Sequence, residues 1–177
     1  MSAATPPPST GRTLVLLRHG KSAYPPGIDD HRRPLAPRGR REAGLAGGWI
    51  RKNVPPIDHI ICSTAERTRQ TLDASGLVTP AALVDFTDEI YGAYPEELLG
   101  VIAAANSSDR TLLLVGHAPG IPGLAESLAD SGSNQAALSA MLTKYPTSAV
   151  AVIVIDGDWA DIADAPSRLI DFVVPRS

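Results

Sequence analysis

The chain has 177 residues, 44% of them hydrophobic and 20% charged, which is enough for one domain with a substantial core and too few for two. Its formal net charge of -3 gives no reason to expect binding to nucleic acid or to an anionic membrane, although it leaves room for a local basic site. The single cysteine, Cys62, excludes an internal disulfide framework and a zinc cage of cysteines, and it fits a reducing compartment such as the cytoplasm.

The opening "MSAATPPPST" has neither the basic start nor the apolar stretch of a secretory signal. Its small residues and prolines read as a mobile tail, so residues 1–11 are set apart from a single domain expected over 12–177. "TLVLLRH" (13–19) is a short apolar run, read as a buried strand. "PRGRREAGLAGGWIRKN" (37–53) places Ala43, Leu45, Ala46, Trp49 and Ile50 on a helical stripe. Its glycines weaken that helix by about 1 kcal/mol each relative to alanine.

"DHIICS" (58–63) is strand-like, and "TAERTRQTLDASG" (64–76) is a polar helix with a glycine stop. "ALVDFTDEI" (82–90) reads as strand then loop. "PEELLGVIAAAN" (95–106) opens with proline and two acids, a good helix start. "TLLLVGH" (111–117) is another buried strand, and residues 119–130 and 134–145 read as helices. "SAVAVIVID" (148–156) and "RLIDFVV" (168–174) are strands whose connecting loop closes a hairpin. The alternation predicts an α/β/α sandwich of three layers around a mostly parallel central sheet. No apolar run approaches the length of a membrane span.

In such folds ligands sit at the carboxyl ends of the strands. Three strands end here in conspicuous polar groups: "LVLLRHG", "HIICSTAER" and "LLLVGHAPG". Together they bring Arg18, His19, Arg67 and His117 to one sheet edge. Two guanidiniums and two imidazoles repel one another unless an anion lies between them. A phosphoryl group suits, because arginine matches phosphate oxygens with a planar fork of donors. Histidine can attack phosphorus or donate a hydrogen bond to its oxygens. The cationic neighbours keep a nucleophilic histidine neutral and stabilise the transition state, so no metal or other cofactor is called for.

"LLRHGKS", "CSTAERTRQT" and "LLVGHAPG" resemble, in order, the three motifs of the histidine phosphatase (phosphoglycerate mutase-like) superfamily. The short chain and the segment "HRRPLAPRGRREA" are most similar to the SixA-like phosphohistidine phosphatase branch. The resemblance implies a phosphoglycerate mutase-like fold and a metal-independent phosphatase. It makes His19 the nucleophile that forms a phosphohistidine, which water then hydrolyses. Arg18 and Arg67 would clamp the phosphoryl oxygens and His117 would donate to the same group. Gly20 would let the backbone approach the ligand, and Ser22 would add a hydroxyl contact to phosphate. Members of this superfamily often supply a carboxylic acid between the second and third motifs; "TDEIYGA" offers Asp88 and Glu89, with Glu89 the first candidate. Ala118 stands where the third motif more often has asparagine.

Other residues carry plainer readings. Cys62 precedes Arg67 by one residue too few for a cysteine phosphatase loop and is read as a small buried strand residue. His31 and His59 have no metal-ligand spacing and are read as surface or loop residues. The basic run 31–41 is either a rim that attracts an acidic substrate, with Arg33 or Arg38 in contact, or a solvated helix start. Trp49 belongs to the core face of its helix, and neither it nor Trp159 needs a ligand. The expected partner is a phosphorylated protein or a small phosphate ester, acted on by a monomer. Mutases of this superfamily usually carry extra closing segments, and the 48 residues between Arg18 and Arg67 leave little room for one. Hydrolysis is therefore expected over mutase-type transfer, and over a phosphate-binding module without turnover.

Overall fold

The computed structural model describes residues 11–176. The expected mobile tail, Gly11 apart, lies outside the described residues. Strand β1 (Arg12–Arg18) feeds two cores at once: Leu14 and Leu16 enter a larger one, Val15 and Leu17 a smaller one on the opposite face. A strand covered on both faces has to be apolar at every position rather than at alternate ones. Strand β4 (Thr111–Gly116) follows the same rule, with Leu112 and Leu114 on one face and Leu113 and Val115 on the other.

Helices α1 (Pro37–Asn53) and α2 (Glu66–Ser75) cover the smaller core through Ala46, Ile50 and Leu72. Helices α3 (Pro95–Ala103), α4 (Gly120–Ser127) and α5 (Gln135–Thr143) cover the larger core through Leu98, Ile102, Leu124 and Met141. The result is the expected three-layer α/β/α sandwich.

The remaining strands are β2 (His59–Ser63), β3 (Leu83–Thr87), β5 (Val150–Ile155) and β6 (Ser167–Val173). The sheet order is β3-β2-β4-β1-β5-β6. β3, β2, β4 and β1 pair in parallel, while β5 runs antiparallel to both β1 and β6. The last two strands form the expected hairpin, whose connection contains the 3-10 turn Trp159–Asp161. Trp159 is fully buried and donates its indole N–H to the Asp109 carbonyl at 2.8 Å.

β1 and β4 are neighbours, yet the chain leaves them toward opposite faces, to α1 from β1 and to α4 from β4. Their loops diverge and open a crevice at the carboxyl edge of the sheet, the topological switch point where α/β folds bind ligands. The expectation for His59 is corrected. It lies on β2, 6% exposed, with Nδ1 3.1 Å from Asp109 and Nε2 2.8 Å from Asp85, and so ties three segments together at the other end of the strands. Cys62 is buried, as read, and burial pushes its thiol up to about 12. Trp49 is only partly buried against the smaller core.

The start of α1 is pressed against the segment that follows β1. A Cβ on Gly39 would stand 2.2 Å from the Lys21 carbonyl oxygen, whereas a Cβ on Gly100 of α3 would meet nothing within 4 Å. Gly39→Ala is therefore expected to lower stability by about 1–3 kcal/mol through forced backbone displacement. Gly100→Ala should raise it by about 0.5–1 kcal/mol by removing glycine entropy from a helix. Urea unfolding of the two variants checks the opposite signs.

Candidate active site

The parallel register pairs Arg18 with Gly116, so His19 and His117 follow one residue later on adjacent strands. The His19 amide donates to the Gly116 carbonyl at 2.9 Å and extends the pairing to the strand tip. The two rings lie 5.2 Å apart between centroids, tilted by 54°. Both are buried, 8% and 7% exposed.

His19 Nδ1 lies 2.7 Å from the Gly20 carbonyl oxygen. A carbonyl only accepts, so Nδ1 carries the proton and Nε2 keeps its lone pair. Burial, against the Gly20 hydrogen bond, lowers the affinity of His19 for a second proton from 6.5 to about 4; Arg67, Arg18 and Arg33 push the same way. His117 is lowered to about 3, by burial first and then by His19 and Arg67. Its Nε2 is 2.9 Å from the Ser63 hydroxyl at the end of β2, and that hydroxyl also accepts from the Ala65 amide. The Ser63 hydroxyl hydrogen has Nε2 as its acceptor among the described residues, so Ser63 donates to the ring. The neutral ring then holds its own proton on Nδ1, a buried atom with no partner among the described residues.

Arg67 enters from the first turn of α2, where the residue is 7% exposed. Its Nη1 donates to the Asp30 carbonyl at 2.7 Å and its Nη2 to the Asp30 carboxylate at 3.1 Å. Arg18 projects from the end of β1 and donates from Nη1 to the Tyr145 carbonyl at 2.7 Å. Tyr145 in turn donates its hydroxyl to the Leu16 carbonyl at 2.9 Å, which fastens this support to β1 itself.

A third guanidinium completes the set. Arg33 donates to Asp30 at 2.7 Å and to the Ala23 carbonyl at 3.1 Å, and stacks 3.6 Å from the centroid of the Tyr24 ring. Asp30 is thus held by two arginines and by the Tyr91 hydroxyl, at 2.5 Å. The Tyr91 bond, then Arg33 and Arg67, hold its carboxyl well below the usual carboxylate range against the opposing effect of burial. Tyr91 stands edge-on to His117 and to His31, at 5.5 and 4.9 Å between centroids. His31 bonds the Thr64 hydroxyl at 3.0 Å, and that hydroxyl donates to Asp88.

The crevice thus gathers Arg18, His19, Arg67 and His117, and it does not gather Glu89. Glu89 lines a shallow groove with His59, Asp85 and Val101 on another part of the surface, and the turn presents Asp88 instead, toward Thr64 and His31. Two other expectations change their physical reason. Ser22 accepts from Arg33 and so holds a guanidinium. A Cβ on Gly20 would stand 2.7 Å from the Gly39 carbonyl oxygen, so its small size serves the packing of β1's tip on α1; its amide donates to Thr71 at 2.9 Å. Asp30, Tyr91 and Tyr145 were beyond sequence reading, since nothing in spacing links them to the three strand ends.

Buried imidazoles ringed by guanidiniums at a switch point define a phosphoryl-handling α/β enzyme of the phosphoglycerate mutase-like fold. The family model of the histidine phosphatase superfamily (branch 1) matches residues 14–154, and the chain belongs to that superfamily. It is accordingly a hydrolase of the phosphatase type. An uncharacterized protein of Mycobacterium tuberculosis H37Rv, Rv1276c, is 48% identical over 161 residues, covering 90% of this chain and all of that one. The structure of the putative phosphohistidine phosphatase SixA from Nakamurella multipartitia aligns with a TM-score of 0.84 at 39% identity, covering 96% and 99% of the two chains. That of the putative SixA from Agrobacterium tumefaciens gives 0.75 at 32%, covering 93% and 99%. No helix among the described residues is long and apolar enough to cross a membrane.

The two imidazoles make stability depend on pH with a defined sign. Unfolded, each takes up a proton near 6.5; folded, only near 4 for His19 and near 3 for His117. Between those values the unfolded chain binds more protons, so stability falls as the pH drops from 6.5 to 4 and returns as it rises. The melting temperature should decline across that window in the wild type. The decline should be shallower in His19→Asn, and differential scanning calorimetry at matched ionic strength reads both slopes.

Proposed function

We propose that the protein removes a phosphoryl group from a phosphorylated substrate through a covalent phosphohistidine on His19, without a metal. The observation that carries this is the state of His19: buried, neutral, its Nδ1 proton committed to Gly20 and its Nε2 lone pair bare beside three guanidiniums. The Nε2 lone pair forms a bond to phosphorus as the bond to the leaving group breaks, and the leaving group takes that electron pair. Water then attacks phosphorus, the P–Nε2 bond breaks with its pair returning to His19, and the water's proton passes to phosphate or solvent.

Arg18 and Arg67 hold the equatorial oxygens, and the Nδ1–H of His117 donates to the same group. Three guanidiniums against the one Asp30 carboxylate leave an excess of two positive charges, which balances a phosphoryl dianion. Gly20 and Ser22 act behind the site, the first by letting the loop pack and the second by holding Arg33.

We infer the substrate class from the carboxylate on the clamp itself. Asp30, the carboxylate on the clamp, stays ionised at neutral pH, so it has no proton to give a departing oxygen. A phosphohistidine substrate makes less demand for such a proton than an alkyl phosphate does, because its imidazole departs from a weak P–N bond. Likeness to SixA phosphohistidine phosphatases supports the same class. We therefore assign a polypeptide phosphohistidine as the preferred substrate, and the single cysteine, Cys62, supports the cytoplasm as the place of action.

Hydrolysis of para-nitrophenyl phosphate tests the chemistry, since its leaving group needs little acid help. The wild type should turn it over unaffected by EDTA, His19→Ala should fall to background, and Arg67→Ala should lose about 10²–10³ in kcat/KM. Equal rates for wild type and His19→Ala would reduce the protein to a phosphate-binding module. For the substrate, a histidine peptide phosphorylated with phosphoramidate should be hydrolysed faster than a phosphoserine peptide or 3-phosphoglycerate. Exchange between phosphoglycerate isomers that outruns phosphate release would favour a mutase instead.

A further inference from the structure

A second feature of the same sheet edge has no part in the chemistry above. An open groove runs beside the crevice, with an apolar floor of Ala140, Phe172, Val173 and Val174 and with Arg38, Lys144 and Arg176 on its walls. Those walls are the segments that support the catalytic strand. Gly39, next to Arg38, presses on Lys21. Tyr145, between Lys144 and Pro146, accepts from Arg18. Val173 pairs with Val150, and Val150 pairs with Leu17.

The charge of the groove is one-sided in a chain whose net charge is -3. Glu42, a buried carboxylate, stands between Arg38 Nε at 2.7 Å and Arg176 at 2.9 Å. Glu42 anchors the two arginines and leaves an excess of positive charge facing out. Lys144 is exposed and makes no ion pair among the described residues, although Glu126 lines the adjoining hollow with it.

We propose that this groove binds an acidic segment flanking the phosphorylated residue of a polypeptide substrate. This rests on the phosphatase reading of the crevice and adds to it what selects the substrate. A small phosphate ester would be held whole at His19 and would not reach the groove, whereas a polypeptide continues past its phosphorylated side chain. The apolar floor accepts aliphatic side chains of that segment, and the cationic walls accept carboxylates. Electrostatic complementarity of this kind contributes mainly to partner choice and capture rate.

The test uses two synthetic peptides, each with one phosphohistidine made by phosphoramidate treatment, flanked by four glutamates in one and four serines in the other. The full-length wild type should favour the glutamate peptide by about fivefold in kcat/KM at low salt. Lys144→Glu should abolish or invert that preference. No preference in the wild type, or one that survives Lys144→Glu, overturns the proposal; so does an equal loss on para-nitrophenyl phosphate, which would mark general damage. Fluorescence anisotropy of the unphosphorylated glutamate peptide reads the groove without turnover. Binding by the wild type that Lys144→Glu weakens supports the groove even if no substrate is hydrolysed, an outcome that would instead sink the phosphatase reading. Absence of binding by the wild type sinks the groove and leaves the chemistry standing.

Discussion

The parallel pairing of β1 with β4 is the constraint on which the rest of the site depends. Its register sets Arg18 opposite Gly116 and so brings two histidines, 98 positions apart in sequence, into ring-to-ring proximity. Because the loops after these strands depart to opposite faces, the same pairing also opens the crevice that holds the rings. A slip of one residue in either strand would turn its side chains to the other core, so the two apolar cores lock the register that the chemistry uses.

Rigid placement would achieve little if the imidazoles were charged. Burial and the neighbouring guanidiniums work together here, since each disfavours a further positive charge. The cost is mutual repulsion among Arg18, Arg33 and Arg67, and Asp30 offsets part of it. Its carboxylate joins Arg33 to Arg67, while Tyr91 reaches it from the turn after β3. The loop carrying Asp30 and the helix carrying Arg67 are thus held by one ionised group. The hydrogen bonds from Tyr91, Arg33 and Arg67 that order the clamp also keep that group ionised.

Support for the site comes from behind as well as across it. Ser63 orients His117, Ser22 and Ala23 hold Arg33, and Tyr145 fixes Arg18 while bonding to Leu16 two residues earlier on the same strand. These contacts are made by small polar groups and main-chain carbonyls, which fix orientation without adding charge near His19. The segment 144–146 joins the crevice to the basic groove, with Tyr145 buried beneath Arg18 and Lys144 exposed on the groove.

The sequence by itself determined the layers and the four central groups. Continuous apolar runs mark strands buried on both faces, helical stripes mark their cover, and a polar group at the end of such a run falls at the ligand edge of the sheet. Arg18, His19, Arg67 and His117 were legible for that reason. The reversed β5, the burial of His59 between two aspartates, and the roles of Asp30, Tyr91 and Tyr145 were decided only by the tertiary structure. So was the exchange of Glu89 for Asp88 at the turn after β3: the two are adjacent in sequence, and which one faces Thr64 depends on the twist of a 3-10 turn. Gly20 and Ser22 show the same limit from the other side. Their residue types pointed to the right loop, but the steric contact with Gly39 and the hydrogen bond from Arg33 come from a helix and a turn that reach them only once the chain has folded.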